Sequence, residues 1–238
     1  MIKVIIFDLD GTLVNSIGGI GHACNVVLER QGFKTHPIDV YKDFVGNGLP
    51  MTIYRALPKD IQNEIKGMED GNQMGEPNFV DNKIEGYVNE LITYYELNPT
   101  VSTILYDGVL DLLSVLKAKG IKWGIHTNKA HAIAAKIADE FFDSKDYIGL
   151  KGPNHLMPRK PNPQGSIDLI ASIAEKTSGI DLDEVLFVGD TEVDIETAKK
   201  LGVKVVAVSW GFRDETFIRS LNPDYLIHHP MELIDILN

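Results

Sequence analysis

The sequence predicts an α/β protein built around a doubly wound, Rossmann-like parallel sheet. Four short apolar runs are rich in β-branched residues and do not alternate with polar ones, which is typical of strands covered on both faces. Helical patterns lie between these runs, and strands that alternate with helices indicate βαβ units. The four predicted strands are residues 4–7, 122–126, 185–188 and 203–208.

The predicted helices between the strands carry apolar stripes at helical spacing. Val109, Leu112, Leu113 and Leu116 follow the i, i+3, i+4, i+7 pattern, and Gly120 ends that helix. Three later stripes have the same character: Ile133, Ala134 and Ile137; Ile167, Ile170, Ala171 and Ala174; and Ile195 and Ala198. Asn162-Pro163 is a plausible start for the second of these helices, and Gly202 a plausible end for the third.

A different pattern fills the region after the first strand. Residues 16–98 contain helical patterns and no convincing strand, so we expect a helical domain inserted into the sheet domain. The sheet domain would then comprise residues 1–15 and 99–238, with its pattern resuming near 104–108. Helices are predicted at 20–30, 37–44, 51–56 and 79–97, and a loop rich in glycine and acids at 67–77.

Composition narrows the class of protein and its partners. Hydrophobic residues make up 44% and charged residues 24%, which is ordinary for a globular chain and excludes collagen-like and disordered classes. The net charge of −11 repels nucleic acid phosphates and anionic lipids, so we expect neither as a partner. Cys24 is the single cysteine, and no apolar stretch approaches the roughly 18–20 residues of a membrane span. We therefore expect a cytoplasmic protein.

Two acids follow the first predicted strand directly. Asp8 and Asp10 are separated by one residue on an extended segment, so their side chains point to the same side. At neutral pH they repel each other, and a divalent cation with oxygen ligands is the obvious group to hold them together. Taken alone, the same residues could form an ordinary Asp-Gly turn.

Polar residues also follow two other predicted strands. Thr127 and Asn128 come after the 122–126 strand, and Asp190 and Asp194 come after the 185–188 strand. The carboxyl ends of parallel strands meet at one edge of the sheet, where ligand sites form. Lys160 lies in a loop with two prolines that could aim its charge at this edge, although a lone lysine is more often a solvated surface charge.

Taken in order, these motifs resemble those of the haloacid dehalogenase-like hydrolase superfamily. Its four motifs are a DxDGT segment followed by a small polar residue, a Thr or Ser at a strand end, a Lys in a KPxP loop, and GDxxxD. In this sequence they are met by Asp8, Asp10, Gly11, Thr12 and Ser16; by Thr127; by Lys160 to Pro163; and by Gly189, Asp190 and Asp194. The resemblance covers essentially the whole chain.

The resemblance implies phosphoryl transfer through an aspartyl-phosphate. Asp8 would be the nucleophile. Asp10 would protonate the leaving oxygen and then take a proton from the attacking water. Mg²⁺ would be held by Asp8, the backbone carbonyl of Asp10, and Asp190.

Further roles follow from the same resemblance. Lys160 would act as a catalytic cation, Thr127 would bind phosphate oxygens, and Thr12 would orient Asp10. The residues expected to bind phosphate are Gly11, Thr12, Thr127, the amide of Asn128, and Lys160. Asp194 would fix a water molecule or Lys160 without binding the metal itself, and Thr191 would also lie just beyond the metal ligands.

The inserted helical region looks like the cap of this superfamily. Among capped members the chain is most similar to phosphoglycolate phosphatases, through residues 44–48, 94–95, 106–109 and 209–213. A small phosphorylated metabolite, above all 2-phosphoglycolate, is therefore the expected substrate. Candidate specificity residues in the cap are Gly46, Asn47, Gly48 and Arg55.

Alternatives remain open at this point. The same scaffold could serve a pyrophosphatase, a sugar or nucleotide phosphatase, or a phosphosugar mutase. A non-catalytic binding protein is disfavoured, because such a protein has no reason to keep Asp8, Asp10, Lys160 and Asp190 together. The sequence does not distinguish a monomer from a homodimer.

Overall fold

The chain divides into two compact units in a computed structural model that describes residues 1–46, 48–65, 82–154, 156–174 and 179–237. One unit comprises Met1–Asn15 with Ile104–Asn238, and the other comprises Ser16–Thr103. The expected boundary at residue 98 thus differs by a few residues. Residues 101–103 pack closely on the first helix of the helical unit, since a side chain at Gly18 or Gly19 would meet the carbonyl of Ser102 or Val101.

The α/β unit contains a six-stranded, fully parallel sheet. In chain order the strands of this unit are β1 (Val4–Phe7), β2 (Val14–Asn15), β3 (Ile104–Leu105), β4 (Lys122–His126), β5 (Leu150–Lys151), β6 (Val185–Gly189), β7 (Lys204–Val208) and β8 (Tyr225–Ile227). The sheet order is β5-β4-β1-β6-β7-β8, and β2 pairs separately and antiparallel with β3. Strand β1 lies between β4 and β6, so the connections that follow neighbouring strands run in opposite directions away from β1. An open α/β sheet forms its ligand crevice at such a point.

The helices of both units follow in chain order. They are α1 (Ile17–Arg30), α2 (Tyr41–Phe44), α3 (Leu49–Ala56), α4 (Lys59–Glu64), α5 (Asn82–Leu97), α6 (Val109–Ala118), α7 (His131–Phe141), α8 (Gln164–Ala174), α9 (Glu192–Leu201) and α10 (Glu215–Ser220). Short 3-10 helices occur at Ile38–Val40, Leu182–Glu184 and Pro230–Ile236. No helix in the described ranges has the length and apolar character needed to cross a bilayer.

The core lies on both faces of the sheet, which explains the unbroken apolar runs in the sequence. All four residues of β1 are buried. Val4 and Ile6 join a cluster with Phe187 and with residues of α8 and α9. Phe7 packs edge-on against Trp123, with 6.1 Å between ring centroids. Alternate residues of one strand therefore serve two different cores.

The predicted α/β class and parallel sheet are confirmed. Strands β1 and β4 cover the predicted residues, β6 extends one residue further to Gly189, and β7 begins one residue later at Lys204. Helix α9 ends at Leu201 and is capped by Gly202, whose φ of 81° is left-handed.

In the described residues of the second unit, 16–46, 48–65 and 82–103, the regular structure consists of helices α1 to α5 and the 3-10 helix at Ile38–Val40. Helix α5 packs against α1 and α3, and Tyr41 and Tyr95 are buried in this unit. Helix α4 was not predicted, because six mostly polar residues carry no apolar stripe. The predicted loop at 67–77 and the first residues of the predicted 79–97 helix lie outside the described residues.

Candidate active site

Asp8 and Lys160 form the centre of the candidate site. The N–H of Asp8 donates to the carbonyl of Val188, 2.9 Å away, so the residue after β1 is held against β6. The Lys160 amine lies 2.8 Å from Oδ1 of Asp8 and 2.6 Å from Oδ1 of Asp194. All three side chains are buried. The lysine that could have been a solvated charge is instead enclosed between two carboxylates.

Asn128 fixes the backbone of Lys160. Its Oδ1 accepts from the N–H of Lys160 at 2.7 Å, and its Nδ2 donates to the Lys160 carbonyl at 3.1 Å. Asn128, two residues beyond the end of β4, therefore fixes a loop 32 residues further along the chain. Since the side-chain amide is used in this way, a phosphate contact from Asn128 would fall to its backbone N–H.

Burial and neighbouring charges oppose each other in the pKa values of the site. Burial raises the pKa of Asp8 to about 7, although Lys160 acts to lower it. Burial also raises the pKa of Asp190, and the nearby Asp194 and Asp8 raise it further. For Lys160, burial acts to lower the pKa, but Asp194 and Asp8 outweigh it and the pKa is raised. Lys160 thus stays charged, and the raised pKa values of Asp8 and Asp190 mean that negative charge is unfavourable there unless a cation offsets it.

Asp190 is held by two neutral donors between two glycines. The hydroxyl of Thr12 donates to Oδ1 at 3.0 Å, and the N–H of Phe212 donates to Oδ2 at 2.8 Å. A Cβ at either Gly11 or Gly211 would collide with the Asp190 side chain. The Thr12 hydroxyl thus contacts Asp190, and the role towards Asp10 that the resemblance implied stays a prediction.

Asp194 and Thr191 form a capping box at the start of α9. Oδ2 of Asp194 accepts from the N–H of Thr191 at 3.0 Å and from its hydroxyl at 2.7 Å. The box satisfies free N–H groups at the start of the helix and fixes the Asp194 carboxylate, whose other oxygen meets Lys160. Thr191 therefore holds the Asp194 carboxylate, and Asp194 contacts Lys160.

Asp10 has a partner that the sequence analysis missed. The Lys129 amine lies 3.0 Å from Oδ1 and 3.1 Å from Oδ2 of Asp10. The Lys129 side chain is 3% exposed and that of Asp10 is 17% exposed. The backbone N–H of Lys129 also donates to the hydroxyl of Thr127, which is buried at the end of β4. The one signal in the sequence that could have indicated Lys129 was its position directly after the strand-end pair Thr127-Asn128.

The 209–213 segment after β7 encloses Asp190. The Trp210 indole N–H donates to the carbonyl of Thr12 at 3.1 Å. Arg213 contacts both carboxylate oxygens of Glu192, at 2.9 and 3.1 Å. Together with the Phe212 N–H, these bonds attach the segment to the ends of β1 and β6.

A metal ion fits the donor set. Asp8, Asp190 and Asp194 each offer a carboxylate oxygen, and these oxygens lie within 4.8 Å of one another. Buried carboxylate oxygens are the ligands that small divalent cations prefer. Asp194 accepts the charged Lys160 amine at one oxygen and two donors of Thr191 at the other. Asp190 accepts from neutral donors, and the Lys160 contact of Asp8 uses Oδ1, so Asp8 and Asp190 are the better ligands of the three.

The predicted cap residues lie in the helical unit. Gly46 and Gly48 have left-handed φ values of 118° and 86° and flank Asn47, which lies outside the described residues. Arg55 is half-buried and donates to the carbonyl of Phe44 at 3.0 Å. It therefore supports the turn that follows α2.

Comparison with known proteins defines the class. A family model for haloacid dehalogenase-like hydrolases matches residues 5–208. The chain belongs to this family.

Known relatives narrow the class further. The chain is 30% identical over 234 residues to a phosphoglycolate phosphatase of Pseudomonas fluorescens, covering 98% of this chain and 78% of that protein. It is 30% identical over 240 residues to a phosphoglycolate phosphatase of Neisseria meningitidis, covering 99% and 94%. The predicted resemblance is confirmed, and the chain is a phosphoric monoester hydrolase of this family.

Solved structures share the fold. A predicted phosphoglycolate phosphatase from Haemophilus somnus superposes with a TM-score of 0.80 at 24% identity, covering 100% of this chain and 98% of that one. A haloacid dehalogenase-like family protein from Streptococcus pneumoniae gives a TM-score of 0.76 at 24% identity, with 100% and 99% covered.

Proposed function

We propose that this protein is a Mg²⁺-dependent phosphatase that hydrolyses 2-phosphoglycolate to glycolate and phosphate through an aspartyl-phosphate at Asp8. The observation that carries the proposal is the buried Asp8 carboxylate, held by Lys160 beside a cluster of further carboxylates at the carboxyl edge of β1. A carboxylate in this setting is a fixed nucleophile with a cation beside it.

The first half-reaction forms the bond between an Asp8 oxygen and phosphorus. The bond between phosphorus and the glycolate oxygen breaks, and Asp10 gives that oxygen a proton. Lys160 and Thr127 offset the negative charge of the phosphoryl group as it passes to Asp8. The N-terminus of α9 adds favourable partial positive charge at this edge.

The second half-reaction restores the enzyme. Asp10, now a carboxylate, takes a proton from a water molecule, and the water oxygen attacks phosphorus. The bond between phosphorus and Asp8 breaks, so phosphate leaves and the Asp8 carboxylate is regenerated. Asp10 thus serves once as acid and once as base.

The proposed metal ligands are Asp8, Asp190 and the backbone carbonyl of Asp10. When bound, Mg²⁺ supplies positive charge that reduces the repulsion between the substrate phosphate and the carboxylates. Thr12 and the Phe212 N–H hold Asp190 for this task.

The identity of the ester rests on the relatives. Both curated relatives described above are phosphoglycolate phosphatases, and their similarity extends over nearly all of this chain. We propose that the helical unit acts as a cap, which would exclude water from the aspartyl-phosphate and recognise the part of the substrate beyond the phosphate. Gly46, Asn47, Gly48 and Arg55 are its proposed specificity residues.

Phosphate release from a panel of esters tests this function. The panel contains 2-phosphoglycolate, sugar phosphates, nucleotides and pyrophosphate, each with Mg²⁺ and with excess EDTA. We expect 2-phosphoglycolate to have the highest kcat/KM, EDTA to stop release, and added Mg²⁺ to restore it. A higher kcat/KM for pyrophosphate, a sugar phosphate or a nucleotide would contradict the proposed substrate, and release unaffected by EDTA would contradict the metal.

A further inference from the structure

The ion pair between Lys129 and Asp10 joins the ends of two adjacent strands. Asp10 follows β1 and Lys129 follows β4, and 119 residues separate them in sequence. The amine lies at nearly equal distances, 3.0 and 3.1 Å, from the two carboxylate oxygens. A contact with both oxygens restricts the rotation of the carboxylate as well as its position.

Lys129 is itself held firmly. Its N–H donates to the Thr127 hydroxyl at 3.1 Å. On the other side its carbonyl lies so close to Gly152 that a Cβ there would approach it to 2.5 Å. A lysine amine loses hydration when it is buried, and a side chain with four rotatable bonds loses conformational entropy when it is fixed. Charged contact with Asp10 compensates for this loss.

We propose that Lys129 is a positioning residue that holds the Asp10 carboxylate for proton transfer to and from the leaving oxygen. The inference rests on the proposed function, because it needs Asp10 to be the acid and base. One Asp10 oxygen keeps its bond to Lys129 while the other carries the proton. In the first half-reaction that proton passes to the glycolate oxygen, and in the second a proton from water replaces it.

This role has a signature that a purely structural role lacks. An alkyl phosphate such as 2-phosphoglycolate needs a proton on its leaving oxygen, whereas 4-nitrophenyl phosphate releases a stable phenolate and needs little help from an acid. The second half-reaction is the same for both esters, so the contrast lies in kcat/KM, which reports only the steps up to departure of the leaving group. Loss of Asp10 positioning therefore lowers kcat/KM for the alkyl ester far more than for the aryl ester. General damage to the site slows both esters alike.

The test measures kcat and KM for both esters in the Lys129→Met variant, which keeps side-chain length and removes the charge. We expect kcat/KM for 2-phosphoglycolate to fall at least about 10-fold and kcat/KM for 4-nitrophenyl phosphate to fall less than about threefold. Asp10→Asn should show the same contrast more strongly. Lys117→Met removes a lysine whose side chain is 67% exposed, and it should change neither rate.

A double variant makes the test independent of the aryl ester. If Lys129 acts through Asp10, adding Lys129→Met to Asp10→Asn lowers the 2-phosphoglycolate rate by no more than about twofold further. Circular dichroism and thermal unfolding would establish that each variant is folded.

Two results would overturn the positioning role alone. One is an equal fall in kcat/KM for both esters in Lys129→Met, and the other is a loss of rate in the double variant equal to the product of the two separate losses. An Asp10→Asn variant that keeps the wild-type rate on 2-phosphoglycolate would instead overturn the proposed role of Asp10, and the role of Lys129 with it.

Discussion

The two buried lysines of the candidate site contact different carboxylates. Lys160 lies between Asp8 and Asp194, and Lys129 contacts Asp10. Asp190 bonds to neutral donors, the Thr12 hydroxyl and the Phe212 N–H. Because neutral donors do not offset the charge of this buried carboxylate, Asp190 is the carboxylate whose charged form a bound cation stabilises most.

The raised pKa values predict how metal binding depends on pH. Burial raises the pKa of Asp8 to about 7, so the metal-free protein takes up a proton at Asp8 as pH falls through 7. Burial also raises the pKa of Asp190, which favours proton uptake there in the same direction. A cation must displace those protons. We therefore expect the Kd for Mg²⁺ to rise between pH 8 and pH 6, by up to about tenfold per pH unit for each proton displaced.

Calorimetric titration with Mg²⁺ at constant ionic strength measures this dependence. The Asp8→Asn variant lacks one titrating ligand and should bind more weakly with a flatter pH profile. A wild-type Kd that stays constant from pH 8 to pH 6 would rule out proton displacement at these carboxylates.

Most of the candidate site could be predicted because its residues follow strands or match ordered motifs. Asp8, Asp190 and Thr127 stand directly after apolar runs, and Lys160 stands in a distinctive loop. The role of Lys129 could not be predicted because its partner lies 119 residues away, and a lone lysine has no local signal. The contact of the Phe212 N–H with Asp190 could not be predicted because a backbone donor does not depend on the identity of the side chain.

Among the elements, the 209–213 segment decides how closely the backbone approaches Asp190. Trp210 and Arg213 attach the segment to Thr12 and Glu192, and this brings Gly211 against the Asp190 side chain. The site therefore requires a residue without a side chain at position 211. The segment thus has a structural task at Asp190 in addition to its resemblance to phosphoglycolate phosphatases.

We predict that Gly211→Ala weakens metal binding. The added methyl group collides with Asp190 and must displace either the carboxylate or the segment that donates to it. The Kd for Mg²⁺ should rise about tenfold or more, which corresponds to about 1.4 kcal/mol. Calorimetry and the Mg²⁺-induced increase in Tm both measure the effect.

Gly86→Ala is the matched control. Gly86 lies in α5, where a Cβ would meet nothing within 4 Å. Alanine there should leave Mg²⁺ binding unchanged and stabilise the helix by up to about 1 kcal/mol. Equal Mg²⁺ affinity in Gly211→Ala and wild type would show that the segment does not position Asp190.

Strand length determined which elements could be predicted. Strands β1, β4, β6 and β7 have four or five residues, nearly all of them buried, and each was visible as an apolar run. Strands β2, β3 and β5 have only two residues each, and β8 has three. Such short strands have no period of their own, because the contacts that define them come from distant parts of the chain.

On the scale of the whole molecule, the candidate chemistry is confined to one unit. Asp8, Asp10, Thr127, Lys160 and Asp190 all belong to the α/β unit. The proposed specificity residues belong to the helical unit. The two ends of the insertion leave the α/β unit side by side, because Val14 pairs with Leu105 and Asn15 with Ile104. A complete helical unit can therefore be inserted without disturbing the sheet.

The insertion could be predicted because its sequence pattern changes abruptly from short apolar runs to helical stripes. Its second boundary could be placed only approximately. Residues 99–103 have no clear helical or strand pattern, and their packing against Gly18 and Gly19 is a tertiary contact.

The most direct test of the central claim is phosphate release from 2-phosphoglycolate by the Asp8→Asn variant with saturating Mg²⁺. Asparagine keeps the size of the side chain but removes the nucleophilic carboxylate, so we expect kcat to fall by about 10³-fold or more. Asp107→Asn, at a fully exposed aspartate, should keep the wild-type rate. A folded Asp8→Asn enzyme that releases phosphate within about tenfold of the wild-type rate would contradict an aspartyl-phosphate at Asp8.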